Sequence, residues 1–181
     1  MIANRGAVAL VLLAGAVACL PGCMTKPLRS VAADGTYCYR VNDKNRHHTC
    51  TAEPVPANVV EAEAKRFEAS QDAFTLYVVR KRWLDASNRV VVSLDGQARV
   101  TTIPDSIVRI RLRPGEHHLM AEWDGKKAER SVAGAAGEVR FVELVGQAWT
   151  WGADYRWEAG TQQVSQSRAV TAKLVADVDA R

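Results

Sequence analysis

The chain has 181 residues, with 24 basic and 20 acidic side chains and a formal net charge of +4. This length suits one domain with appendages. The small excess of positive charge gives no reason to expect a nucleic-acid partner.

The first 23 residues carry an export signal. A short start ending in Arg5 is followed by an uncharged run over 6–22 that is rich in Leu, Val and Ala. This order is typical of a secretory signal peptide. The alternative is an uncleaved transmembrane helix, because a bilayer crossing needs roughly 20 apolar residues. The prolyl-glycyl pair near the end of the run disfavours that alternative.

The cleavage site predicts the type of signal. The sequence Leu20-Pro21-Gly22-Cys23 resembles the bacterial lipobox, in which a small residue precedes the cysteine that is lipidated. We therefore expect a signal peptide over 1–22, cleavage between Gly22 and Cys23, and a membrane anchor on the Cys23 thiol. Met24, where retained inner-membrane lipoproteins of enteric bacteria carry Asp, favours the outer membrane. The predicted location is the cell envelope, facing the periplasm.

Two cysteines remain beyond the anchor, Cys38 and Cys50. An even pair in an exported chain predicts a disulfide. The alternative is a metal site formed with His47 and His48, although the spacing fits no common zinc pattern. We expect the disulfide, no metal and no cofactor. Residues 23–57 are polar and rich in turn residues, and they are interpreted as a tether containing this disulfide loop.

Residues 58–181 are expected to form one domain. Asn58 resembles a helix N-cap, and the helix predicted over 59–67 places Glu61 and Lys65 at the favourable i,i+4 spacing. Val60, Ala64 and Phe67 share one face, which suits docking on a sheet. A second, terminal helix is predicted over 164–178 from the spacing of its apolar residues, Val170, Leu174 and Val178.

Short alternating strands fill the middle of the chain. Asp95-Gly96 and Asp124-Gly125 are strong hairpin turns, and Pro114-Gly115 is a turn dipeptide. The regular spacing of short strands and turns indicates a mainly β domain, an antiparallel sandwich or barrel. The predicted strands cover 73–80, 89–94, 97–102, 107–113, 116–123, 126–132 and 138–145, and the last of these is taken as the final strand.

The block from Ala64 to about Val178 resembles the bacterial lipoprotein domain DUF2846, a family of unknown function. Five segments carry the resemblance: Ala64-Lys-Arg-Phe67, Leu76-Tyr-Val-Val-Arg80, Val92-Ser-Leu-Asp-Gly96, Arg113-Pro-Gly-Glu-His-His-Leu119 and Val139-Arg-Phe-Val-Glu143. The turn rhythm is also similar to PEGA-type surface domains. Both resemblances imply a small Ig-like sandwich, and they provide no catalytic residues to carry over.

Aromatic residues cluster near the end of the strand region: Trp149, Trp151, Tyr155 and Trp157. Such rings stack on sugars or on a partner's apolar surface, so the cluster is a candidate for binding a glycan or an envelope protein. The alternative is that the rings close an open end of the sandwich.

Arg109, Arg111 and Arg113 alternate along one predicted strand and would share a face. This stripe is a candidate for binding lipopolysaccharide phosphates or an acidic partner, and otherwise it is a solvated strand face. His117 and His118 lack a recognisable acid partner in the sequence. We therefore expect a non-enzymatic binding or scaffolding module. The alternatives are a cell-wall hydrolase that uses one of these histidines and a metal-binding periplasmic protein.

Overall fold

The computed structural model describes residues 30–40, 48–80 and 88–181. The predicted signal peptide, Gly22, Cys23 and His47 lie outside these ranges. Neither helix within them has the length and apolar composition that a bilayer crossing requires. The elements in chain order are β1 (Cys38–Arg40), β2 (His48–Cys50), α1 (Asn58–Ala64), β3 (Phe74–Arg80), β4 (Val90–Leu94), β5 (Ala98–Thr102), β6 (Ser106–Leu112), β7 (Gly115–Trp123), β8 (Lys126–Gly134), β9 (Val139–Trp149), β10 (Gly152–Glu158), α2 (Gln162–Thr171) and β11 (Lys173–Ala180).

Two sheets and a small ribbon form the domain. The strand order is β10-β9-β3-β6-β11 in the five-stranded sheet and β5-β4-β7-β8 in the four-stranded sheet, and β1 pairs with β2. This architecture confirms the predicted mainly β, sandwich-like fold with a short helix before it. The five-stranded sheet is mixed, since β3 is parallel to β9 and β6 is parallel to β11. The purely antiparallel expectation missed these two pairs.

Strand β3 is buried on both faces. Phe74, Leu76 and Val78 point into the main core with residues of the four-stranded sheet. Tyr77 and Val79 lie in a second core with residues of both helices. The helices therefore cover the outer face of the five-stranded sheet, and β3 is its central strand.

Helix α1 docks as its apolar face predicts. Val60, Ala64 and Phe67 pack in the second core, and the Phe67 ring lies 5.1 Å from the ring of Tyr77. The expected Glu61–Lys65 ion pair is present at 2.7 Å. The predicted cap is wrong by one residue, because Ala57 is the N-cap and contributes no side-chain hydrogen bond.

Local turn chemistry fixes the hairpins. Asp95-Gly96 and Asp124-Gly125 both adopt positive φ angles, 49° and 71° in the first pair and 42° and 74° in the second. These are the conformations that a two-residue hairpin turn needs. Gly134 has a different role, since a Cβ there would lie 2.2 Å from the ring of Phe74.

The prediction for the C-terminal region is wrong in two places. Strand β9 continues to Trp149 and β10 follows it, so the strand ending at residue 145 is not the last. The segment predicted as one helix over 164–178 is instead a helix followed by a strand, α2 and then β11. Thr161 is the N-cap of α2, and its side chain accepts a hydrogen bond from the Val164 amide. Parallel pairing with β6 makes this segment a strand, and a register shift between Leu174 and Ala176 puts Leu174 in the second core and Ala176 and Val178 against the main core.

The predicted tether belongs largely to the folded domain. The expected disulfide joins Cys38 to Cys50 across the β1–β2 ribbon. Tyr37 and Tyr39, on either side of Cys38, are 3% and 7% exposed and pack in the main core. The tether assignment over 23–57 is therefore wrong from Tyr37 onwards, and the domain begins before residue 58.

Candidate interaction surface at one end of the sandwich

Two exposed tryptophans lie at the turn between β9 and β10. We call Trp149, Thr150 and Trp151 the tryptophan tip. Trp149 is 46% exposed and Trp151 is 91% exposed. Neighbouring indole rings that are exposed to water are a candidate contact surface for a partner. The aromatic cluster predicted from the sequence thus contributes two rings to a surface.

The tip is braced by the neighbouring hairpin. Lys126, at the start of β8, places its Nζ 5.9 Å from the centre of the Trp149 ring. The same Nζ lies 2.7 Å from a carboxylate oxygen of Asp154 on β10. These surface contacts join the β7–β8 hairpin to the β9–β10 hairpin, and Trp151 is the more exposed of the two rings.

The other two members of the predicted cluster are structural. Tyr155 is 5% exposed, and its ring lies 5.0 Å from that of Trp123 in an edge-on arrangement. The Trp157 Nε1 donates to the Ala128 carbonyl oxygen at 3.0 Å, which ties β10 to β8. For Tyr155 and Trp157 the end-capping alternative is the one that the contacts support.

Arg80 was missed by sequence reasoning. Its side chain is 1% exposed at the end of β3, and it donates to the carbonyl oxygens of Thr102 (2.6 Å) and Asn88 (2.5 Å). A further bond of 3.1 Å reaches the hydroxyl of Tyr155, over whose ring the guanidinium also lies at 5.0 Å. A buried arginine needs such acceptors, and here they link the two sheets.

The arginine stripe is not a free anion-binding surface. Arg109 is 5% exposed and makes paired hydrogen bonds of 2.7–2.9 Å with both Glu63 and Asp177. These bonds, to Asp177 first and then Glu63, raise the pKa of Arg109 above its ordinary value. Arg111 lies 3.2 Å from Asp177. Arg113 is exposed but lies past the end of β6, so the stripe expectation is corrected.

His117 has the acid partner that the sequence did not reveal. Its Nδ1 lies 2.8 Å from an Asp95 carboxylate oxygen, and its Nε2 lies 2.8 Å from the Arg113 carbonyl oxygen. Burial lowers the pKa of His117, but the bonds to Asp95 and Arg113 and the Asp95 charge outweigh it and raise the pKa overall. Both nitrogens face acceptors, so the arrangement favours the imidazolium and leaves neither nitrogen as a general base. His118 is exposed, with Nε2 3.6 Å from Glu129.

A groove of about 790 Å³ lies where the N-terminal segment meets α1 and β11. We call it the N-terminal groove; Ser30, Glu61, Lys65 and Lys173 are among its lining residues. Burial raises the pKa of Glu61, but hydrogen bonds from Lys173 and Lys65 outweigh it and lower the pKa overall. Glu61 also accepts from the Leu174 amide at 3.3 Å. The acid thus ties α1 to the first residues of β11.

Cys38 and Cys50 cannot serve as thiolate ligands of a metal ion, because they are joined as a disulfide. Within the described ranges, no group of three or more His, Cys, Asp or Glu side chains is placed to hold a metal ion.

No protein-family model matches the chain, and no curated protein matches it. The resemblance to DUF2846 and PEGA-type domains therefore stays a prediction from the sequence motifs.

Proposed function

We propose that this chain is a bacterial envelope lipoprotein, anchored through lipid on Cys23 in the outer membrane and facing the periplasm. The observation that carries the proposal is Gly22-Cys23 at the end of an uncharged apolar run that follows Arg5. A single acyl chain binds a membrane marginally, whereas two or three hold it firmly. The Cys38–Cys50 disulfide supports export, because disulfides persist in oxidising compartments.

The folded domain is proposed to be a non-enzymatic binding or scaffolding module for an envelope component. The tryptophan tip supports this role, since Trp151 presents nearly its whole indole to solvent. The internal pairing of Arg109 makes the tip a better candidate surface than the arginine stripe. An envelope protein, a glycan and a lipid surface are the partner classes that suit exposed indole rings.

Metabolic labelling with a palmitate analogue tests the anchor. We expect label on the parent chain and on Cys19→Ser, a matched control in which a cysteine of the predicted signal peptide is changed. Cys23→Ser should lose the label. Equal labelling of Cys23→Ser and the parent would contradict the proposal.

A further inference from the structure

We propose that the tryptophan tip docks in the interface of the same bilayer that holds the lipid anchor, so that the domain is attached at two points. This inference rests on the proposed lipoprotein function and adds a second binding site to it. A single tether would fix only the domain's location, whereas two attachment points also restrict its orientation.

The N-terminal groove and the tryptophan tip lie at the same end of the five-stranded sheet. Strand register places five residues in one row across that sheet: Lys173, Ser106, Arg80, Leu144 and Trp157. Ser30, the first described residue, lines the same groove as Lys173, so the described chain begins near this row. From Leu144, β9 continues outwards by five residues to Trp149. At about 3.3 Å per residue, the tip projects about 17 Å beyond the row.

The chain between the anchor and the domain is long enough for both attachments. Cys23 and Ser30 are seven positions apart in the sequence. Seven residues span at most about 24 Å, at roughly 3.4 Å each. This limit exceeds the projection of about 17 Å, so the acyl chains and the tip reach one membrane plane together. It also limits how far the sandwich stands from the bilayer, which brings the tip close to the surface.

The chemistry of the tip suits a bilayer interface. Indole rings concentrate at the level of the headgroups, where an apolar body meets a polar boundary. The lysines beside the tip are paired, Lys126 with Asp154 at 2.7 Å and Lys127 with Glu129 at 2.6 Å. The exposed Asp124 in the same hairpin adds a negative charge. This surface therefore has no excess positive charge to select a phosphate or an acidic protein. We therefore expect docking on zwitterionic lipid that changes little with salt.

A thiol reporter on the full lipidated chain tests the inference. In the processed lipoprotein Cys23 is acylated and Cys38 and Cys50 are joined, so Thr150→Cys supplies the reactive thiol. The matched control is Ala136→Cys, in the exposed turn between β8 and β9 at the opposite end. Mass spectrometry first confirms that each protein carries its acyl groups. The protein is then labelled with an environment-sensitive fluorophore and reconstituted in phosphatidylcholine vesicles.

We expect a blue-shifted emission from the Thr150→Cys reporter, quenched by lipids with brominated acyl chains, and neither effect from Ala136→Cys. Adding Trp151→Ser should reduce the shift. An acylated protein whose two reporters behave alike overturns this inference and leaves the lipoprotein proposal standing. So does a shift that needs added glycan or envelope protein. A preparation without acyl groups contradicts both proposals.

Discussion

Replacing Arg109 with leucine should lower the free energy of unfolding by about 3 kcal/mol. The Arg109 side chain is 6% exposed and pairs with Asp177, which is 14% exposed. Removing one partner of a buried ion pair costs about 3–5 kcal/mol. The lower end applies because Arg111 still lies 3.2 Å from Asp177 after the change. The pair with Glu63, which is 49% exposed, adds only about 0–1 kcal/mol.

Equilibrium unfolding in urea measures this loss, and thermal melting should show a decrease of about 6–12 °C in Tm. Arg113→Leu is the matched control, because it removes an exposed arginine of the same predicted stripe. The control should change stability by less than about 0.5 kcal/mol. If the two variants unfold alike, or if Arg109→Leu weakens lipopolysaccharide binding without loss of stability, the assignment of Arg109 as an internal staple is refuted.

Three further predictions follow from the described contacts. The pKa of His117 is raised in the folded protein, so its contribution to stability is complete below its unfolded-state pKa of about 6.5 and is lost as pH rises through its folded-state pKa. The free energy of unfolding measured across pH should show this loss, and Asp95→Asn should abolish the pH dependence. Gly134→Ala should cost about 1–3 kcal/mol in thermal melting because the added methyl meets a buried ring, and an unchanged Tm would contradict the clash. Trp151→Ala should stay within about 0.5 kcal/mol of the parent, whereas Trp157→Ala should lose about 2 kcal/mol or more; equal losses would assign both rings to the cap.

The parts of the fold that depend on local chemistry were predictable from the sequence. Asp95-Gly96 and Asp124-Gly125 located two hairpins because their backbone conformation excludes most other residues. The Cys38–Cys50 bridge followed from an even count of cysteines in a chain with a predicted export signal. The apolar face of α1 was correct for the same reason, since i,i+4 spacing is a local property.

The parts that depend on distant pairing were not predictable. Leu174 and Val178 fit a helical period, and the parallel pairing with β6 makes their segment a strand instead. A parallel pair carries no connecting turn that the sequence would reveal. The role of Arg109 depends on Asp177, 68 residues away in the sequence. The alternating arginines therefore resembled a solvated strand face in the sequence, whereas Arg109 forms a buried ion pair in the structure. The packing of β10 against β8 likewise determines which residues of the predicted aromatic cluster are buried and which are exposed.

The mass of the N-terminal tryptic peptide tests the central claim most directly. Trypsin cuts poorly between Lys26 and Pro27, so a chain processed before Cys23 gives a peptide over 23–29. The account predicts this peptide from isolated membranes with acyl groups on Cys23. A peptide over 6–29 with an unmodified Cys23 would contradict it, because the signal would then be uncleaved and the thiol free.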